Sequence, residues 1–177
     1  MIFGLMKKGW ARRPAVPDPI YLRALDEALL LVAEYDEMDS LFFRLGFTNE
    51  SDLTDSSVRE LFSVALEQFN QLQVVAQNLE AIRPRSQELL DLHLASVGFL
   101  RGFLLHQDRF ISGAVFAAQG KDRDARRMRK DAEGWERSLE DARVQLRKSV
   151  IEVQRTRPDI FLEMRLSPSA LKDIGAW

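Results

Sequence analysis

The sequence predicts an all-α protein, an antiparallel up-and-down four-helix bundle with an N-terminal arm and a short C-terminal helical tail. Three observations favour this fold. Four long segments carry apolar residues at spacings of three and four, and a glycine or a proline follows each segment. The connection between the second and third segments is very short, which is typical of antiparallel neighbours. No segment has a convincing strand period.

The arm is expected over residues 1–17, the bundle over residues 18–157 and the tail, packed on the bundle, over residues 158–177. The arm has four basic and no acidic residues beside the apolar residues Ile2, Phe3, Leu5, Met6 and Trp10. Two interpretations stay open for it. It packs on its own bundle, or residues 1–13 make a weak contact with a membrane surface.

The first helix is predicted over Pro19–Leu45, with Asp18 as its N-cap and Gly46 as its stop. Its apolar face contains Leu22, Leu25, Leu29 and Val32 and continues through Tyr35, Met38, Phe42 and Leu45. Residues 18–55 carry ten acidic and two basic side chains, a net charge of −8. This helix and the loop after it therefore form the acidic part of the chain.

The second helix is predicted over Ser57–Arg83, where Ser57 and Glu60 form a capping-box pattern and Pro84 ends the helix. Its apolar residues follow a regular heptad seam, namely Val58, Phe62, Ala65, Phe69, Leu72, Ala76 and Leu79. Such a seam is typical of helices that pack in bundles.

The third helix, predicted over Ser86–Gln119, is the longest apolar stretch and the centre of the predicted bundle. Its polar residues fall mostly in one stripe, composed of Gln87, Asp91, Arg101, Asp108, Ser112 and Gln119. Because the rest of its circumference is apolar, it must be covered on most sides. Charged residues at positions 101, 108 and 109 interrupt it, so we predict no transmembrane segment.

The fourth helix is predicted over Asp122–Arg157, with Pro158 as its stop. It has a narrow heptad seam, namely Ala125, Met128, Ala132, Trp135, Leu139, Ala142, Leu146, Ser149 and Val153. The remaining surface is charged, and residues 121–157 carry a net charge of +4. In the tail, Ser167 and Pro168 favour the start of one last short helix.

No known catalytic or metal-binding pattern occurs in the chain. It lacks cysteine, Glu-x-x-His, His-Glu-x-x-His, Gly-x-Ser-x-Gly and a glycine-rich phosphate loop. His93 and His106 are thirteen residues apart, which does not place them on one face of a helix turn. We therefore expect no enzyme, no metal and no cofactor. The absence of cysteine and of a secretory signal favours a cytoplasmic protein.

Two interpretations remain for the surroundings of His106. In the first, Gly102, His106 and Arg109 line a small-ligand pocket, where the glycine leaves room for an anion or a cofactor. In the second, small residues at Ala95, Gly98 and Gly102 let another helix approach closely, and His106 is a polar residue of that packing interface.

A basic segment opens the fourth helix. It contains Arg123, Arg126, Arg127, Arg129 and Lys130, which are suited to phosphate contacts with nucleic acid or an anionic surface. Acidic residues interleave with them, and there is no aromatic platform or helix-turn-helix pattern. Nucleic-acid binding is therefore not the favoured function.

The favoured function is that of a non-enzymatic helical-bundle protein acting through protein–protein interaction or self-association. This function is favoured because the third helix and the two apolar termini have more apolar surface than three covering helices can bury. The expected partner is a second copy of the chain or another protein. The alternatives are a ligand-binding bundle with a pocket near His106, or an anionic-surface binder that uses the basic segment.

Overall fold

The computed structural model describes residues 13–44 and 56–159, with side chains described except at 36–44, 56–59, 61 and 118. Within these ranges the chain forms four helices, α1 (Asp18–Arg44), α2 (Ser56–Ala81), α3 (Leu90–Ala118) and α4 (Asp122–Thr156). The all-α prediction is confirmed, and the helix bounds agree with the predicted ones to within about one turn. The predictions for residues 1–12, for the loop at 45–55 and for the tail from residue 160 lie outside the described residues.

A short parallel β-pair corrects the expectation that the chain has no strands. Strand β1 (Ala15–Val16) pairs with β2 (Arg83–Pro84), with Ala15 opposite Arg83 and Val16 opposite Pro84. The backbone amide of Arg83 also donates to the carbonyl of Pro14, at 3.1 Å. Strands of two residues have no measurable side-chain period, which is why the sequence does not reveal them.

Asp18 joins the start of α1 to the chain that leads into α3. Its carboxylate accepts hydrogen bonds from the backbone amides of Arg85, at 3.2 Å, and Ser86, at 3.1 Å, and from the Ser86 hydroxyl. The Asp18 side chain, predicted to cap the first helix, therefore links two segments that are far apart in the sequence. After this link, one 3₁₀ turn (Gln87–Leu89) precedes α3, so the regular helix begins later than Ser86.

The core forms where the apolar faces of all four helices meet. Helix α1 contributes Tyr21, Leu25, Leu29 and Val32, each fully buried. The described seam of α2 is buried from Ala65 to Leu79, as its heptad spacing predicts. Fully buried Phe99 and Phe103 lie at the centre of α3, and Phe103 meets Tyr35 of α1 edge to face, with ring centroids 5.8 Å apart.

Helices α3 and α4 pack along most of their lengths. Two glycines of α3 allow this close approach. A Cβ atom at Gly102 would lie 3.6 Å from Cδ1 of Leu139, and one at Gly113 would lie 3.5 Å from Cβ of Met128. The α4 seam is buried as predicted, with three exceptions. Trp135 is 39 % exposed, and Ala142 and Ser149 are half-buried. Val150, next to Ser149, is buried instead.

Helix α3 is the most apolar helix of the described chain. By length and composition alone, the stretch Gln87–Ala117 is long and apolar enough to cross a membrane. The central helix of a water-soluble protein meets the same criterion. Within the described structure 44 % of the most apolar 18-residue window of this stretch is buried, so other helices cover only part of its circumference.

Candidate functional site

A groove of about 460 Å³ lies between α2 and α3 and opens to solvent. We call it the α2–α3 groove. Its floor is apolar and consists of Phe69, Ala76, Val97, Leu100 and Leu104. More exposed side chains surround the floor, namely Gln73, Gln77, Glu80, Arg101, Leu105 and Asp108. An apolar floor within a polar rim is the usual arrangement of a surface that binds protein.

The groove arises from the spacing of the residues that separate its two helices. Phe69 and Ala76 are one heptad apart on the buried seam of α2, and the methyl group of Ala76 fills little of the space that a leucine would occupy. Helices α2 and α3 contact each other over a much shorter stretch than α3 and α4 do. The floor of the groove is therefore formed mostly by buried core residues at the edge of the contact between α2 and α3.

A cluster of three charged side chains closes one end of the groove. Glu80 accepts from Nη2 of Arg13 at 3.0 Å and from Nε of Arg101 at 3.0 Å, and Nη2 of Arg101 is a further donor to it. Partial burial favours a higher pKa for Glu80. The hydrogen bonds and positive charges of Arg101 and Arg13 outweigh burial and hold the pKa of Glu80 below its usual value of 4.5.

Helix α3 has an exposed to half-exposed stripe, which we call the open face, and Arg101, Leu105 and Asp108 of this stripe line the groove. The open face consists of Asp91, Gly98, Arg101, Leu105, Asp108 and Ser112, spaced by three, four or seven residues so that they share one side of the helix. Leu105 is 39 % exposed. A Cβ atom at Gly98 would meet nothing within 4 Å. The open face therefore combines an apolar centre, small residues and both signs of charge.

The predicted ligand residues Gly102 and His106 lie on the neighbouring side of α3. Gly102 packs against Leu139 of α4, and His106 follows it by one helical turn. The imidazole of His106 is half-buried, and no described residue hydrogen-bonds to its Nδ1. Neither residue lines the α2–α3 groove. The interpretation that small residues let another helix approach closely fits Gly102, which contacts Leu139. It does not fit Gly98, because a Cβ atom at that position would meet nothing within 4 Å; Gly98 faces open space.

Arg109, the third predicted ligand residue, lies beside its neighbour in the chain. Its Nη1 atom is 3.4 Å from Oδ2 of Asp108, and both side chains are partly exposed. Of this pair only Asp108 lines the groove. Ligand binding by Gly102, His106 and Arg109 together stays a prediction.

The predicted anion-contacting residues form an exposed surface at the start of α4. Arg123, Arg126, Arg127, Arg129 and Lys130 are all exposed, while Ala125 and Met128 between them are buried against α3. Nε of Arg126 donates to the carbonyl of Asp122 at 3.3 Å. Exposed Asp122 and Asp131 flank the basic residues, which reduces the positive potential of this surface.

His93 lies in the core, far from solvent. Its ring meets the edge of Tyr21, with centroids 5.3 Å apart, and both side chains are fully buried. Burial, together with the nearby charge of Arg13, lowers the pKa of His93 to about 4, although Glu80 acts in the opposite direction. His93 is therefore neutral at pH 7 and serves as a core residue.

The heptad spacing of α3 predicts the charges of the open face but not the groove beside them. The stripe with Arg101 and Asp108 was visible as heptad-spaced polar residues in an apolar helix. Leu105, which stands between them, looked like any core leucine. Within residues 13–44 and 56–159, no group of three or more histidine, aspartate or glutamate side chains lies close enough to hold a metal ion.

Comparison with protein families, with curated proteins and with solved structures finds no match to this chain.

Proposed function

We propose that this chain is a non-enzymatic interaction protein that binds a helix of its partner in the α2–α3 groove. The observation that carries the proposal is the solvent-open groove between α2 and the central helix, where Leu105 is 39 % exposed beside an apolar floor. Amphipathic helices bind grooves of this kind by laying their apolar side on the floor and their polar edges along the rim.

The proposal includes an antiparallel up-and-down arrangement of the four helices. Contacts at both ends of the helices support it. Tyr35, in the second half of α1, lies 6.4 Å from Phe69 between ring centroids, and Arg13, ahead of α1, bonds to Glu80 near the end of α2. The two glycine contacts of α3 with α4 run in opposite chain directions, since Gly102 meets Leu139 and Gly113 meets Met128.

Both histidines have surroundings that support a structural role in place of a catalytic one. His93 is a buried core residue with a strongly lowered pKa. His106 is half-buried one turn from the Gly102–Leu139 contact. We therefore assign neither to chemistry, and we propose a cytoplasmic protein that acts by binding alone.

A helical-peptide selection tests this function. A display library of amphipathic helical peptides is selected against the wild-type protein, and the selected peptides are measured against Leu105→Glu and Val74→Glu. Leu105 lines the groove, whereas Val74 is 56 % exposed and does not line it. We expect Leu105→Glu to weaken binding about tenfold or more, because it places a charge beside the apolar floor.

Val74→Glu should leave the affinity of these peptides unchanged. The proposal fails if the library yields no binding peptide, or if the selected peptides bind Leu105→Glu as well as they bind the wild type.

A second candidate function is contact with an anionic surface such as nucleic acid, favoured by the exposed basic residues at the start of α4. Binding of an RNA or DNA oligonucleotide should then weaken with rising salt and with the double change Arg126→Ala/Arg127→Ala. The matched control is Arg147→Ala/Lys148→Ala, an exposed basic pair on the same helix. Equal binding by both double variants would reject this function.

A further inference from the structure

We infer that the helix bound in the α2–α3 groove is α3 of a second copy of this chain, related to the first by a two-fold axis that passes beside Leu105. This inference rests on the proposed function, because it names the partner of the same groove. It is carried by the order of charges and small residues on the open face.

The charges of the open face are self-complementary under such an axis. Arg101 and Asp108 are seven residues apart on one side of α3, about 10 Å along the helix. Two antiparallel copies whose axis lies midway between these residues place each Arg101 opposite Asp108 of the second copy. The same axis brings the two Leu105 side chains together at the centre. One pair of helices thus has two opposite-charge contacts around an apolar contact.

A parallel arrangement of the two copies gives the opposite result. It places Arg101 opposite Arg101 and Asp108 opposite Asp108, so that both contacts are repulsive. The charge order therefore selects the antiparallel dimer. Arg101 can serve both charges in this dimer, because its guanidinium has five donors, of which Glu80 takes two. The side chain of Asp108 is 51 % exposed, and its ion pair with Arg109 is long, at 3.4 Å.

The small residues of the open face also pair under this axis. Gly98 comes close to Ser112 of the second copy, because the midpoint of these two positions is Leu105, half a residue from the axis. Space for a close approach exists there, since a Cβ atom at Gly98 would meet nothing within 4 Å. Towards the helix ends, Asp91 lies opposite Gln119. The antiparallel arrangement therefore brings no like charges together among the residues of the open face.

The apolar area at the centre of the contact also fits a second helix. Leu105 is exposed beside the mostly buried floor of the groove and supplies an apolar centre, and Gln73, Gln77, Glu80 and Arg101 supply a polar rim. This division into centre and rim is that of a specific protein interface. Exposed charge pairs add little affinity individually, so we assign most of the affinity to the apolar centre and the orientation to the charges.

A mixing experiment with two charge-reversal variants tests the inference. Arg101→Glu and Asp108→Lys are prepared separately, and each is checked for native helicity by circular dichroism. In either variant alone, both charge contacts of the dimer become repulsive, and we expect the dimer dissociation constant to rise at least about tenfold. Asp108→Lys leaves the Glu80 cluster intact, so it reports on the dimer even if Arg101→Glu destabilises that cluster.

An equimolar mixture of the two variants should form a heterodimer. In that heterodimer the glutamate introduced at position 101 faces the lysine introduced at position 108, and native Arg101 faces native Asp108. Sedimentation velocity of the wild type, of each variant and of the mixture should show a dimer, two largely monomeric samples and a restored dimer. The matched control Arg137→Glu, on an exposed position of α4, should dimerise like the wild type.

A wild type that stays monomeric at about 100 μM overturns the inference, and so does a mixture that stays monomeric while both variants are folded. If the groove still binds selected helical peptides in that case, the proposed function stands and only the identity of its partner is wrong. If the peptides also fail to bind, the proposed function fails as well.

Discussion

Tyr21 of α1 and His93 of α3 meet edge to face in the core, with ring centroids 5.3 Å apart and no exposed surface on either side chain. The contact joins the first and third helices near their N-terminal ends, beside the Arg13–Glu80–Arg101 cluster. It places an ionisable ring where its charged form has no access to water. Stability should therefore depend on pH through His93.

We predict that the protein loses stability as the pH falls from about 6.5 to about 4. The unfolded chain takes up a proton on His93 near pH 6.5, whereas the folded chain does so only near pH 4. Over this window the unfolded state binds more protons, so the free energy of unfolding falls, by about 3 kcal/mol in all. Urea denaturation at a series of pH values measures the loss. His93→Leu should remove most of it and His106→Leu should not; a slope that survives His93→Leu contradicts the assignment.

The Glu80 cluster should produce a separate loss at lower pH. Because the folded-state pKa of Glu80 is below 4.5, the unfolded carboxylate is protonated first, and stability is lost as the pH falls below 4.5 and through the folded pKa. Glu80→Gln should flatten the pH dependence in this lower window, and the loss of its charge should also lower the pKa of His93 further. The change is measured by urea denaturation between pH 5 and pH 2, with Glu67→Gln, at an exposed position of α2, as the control. Equal curves for the wild type and Glu80→Gln would show that the cluster contributes no pH-dependent stability.

Two glycines on adjacent sides of α3 should respond oppositely to the same change. Gly102→Leu forces a side chain into the contact with Leu139 and should destabilise the fold by about 1–3 kcal/mol. Gly98→Leu enters open space and gains helix propensity, so it should leave stability unchanged or raise it by up to about 1 kcal/mol. The stabilities of both variants are compared with that of the wild type by thermal unfolding at low protein concentration. A stable Gly102→Leu protein would show that α4 does not pack closely there.

Two phenylalanines of α3 provide a test of which side of the helix is core. Phe103 is fully buried against Tyr35 and Phe99, whereas Phe110, one heptad later, is 51 % exposed. Phe103→Ala should cost about 3–5 kcal/mol of unfolding free energy. Phe110→Ala should cost less than about 1 kcal/mol. Urea denaturation measures the loss of unfolding free energy in each variant. Similar losses for the two variants would contradict the packing described for α3.

The sequence predicts helices well here because its periodicity records burial directly. The seam from Ala65 to Leu79 and the face from Leu22 to Val32 are both buried as their spacing requires. The short β-pair and the link from Asp18 to Ser86 were not predictable, because each joins segments that are more than sixty residues apart through only a few atoms. Local patterns carry no information on such contacts.

The groove was not predictable for a different reason. Hydrophobic spacing shows that Leu105 belongs to an apolar helix, but not whether a neighbouring helix reaches it. That outcome depends on the distance between α2 and α3, which side-chain volumes such as that of Ala76 help to set. The polar stripe of α3 is the available signal, because Arg101 and Asp108 mark the side on which the groove opens within the described residues. The predicted ligand residues Gly102 and His106 lie on the neighbouring side of α3, where α4 packs against Gly102.

A single cysteine at position 105 tests the central claim most directly, since the natural chain contains none. In a dimer with its two-fold axis beside Leu105, Leu105→Cys places two thiols next to each other, within reach of a disulfide. We predict that mild oxidation converts Leu105→Cys to a disulfide-linked dimer, measured by non-reducing electrophoresis, while the equally exposed control Val144→Cys stays monomeric. Equal cross-linking of both variants, or none at Leu105→Cys, would contradict the claim that the open face of α3 binds its own copy.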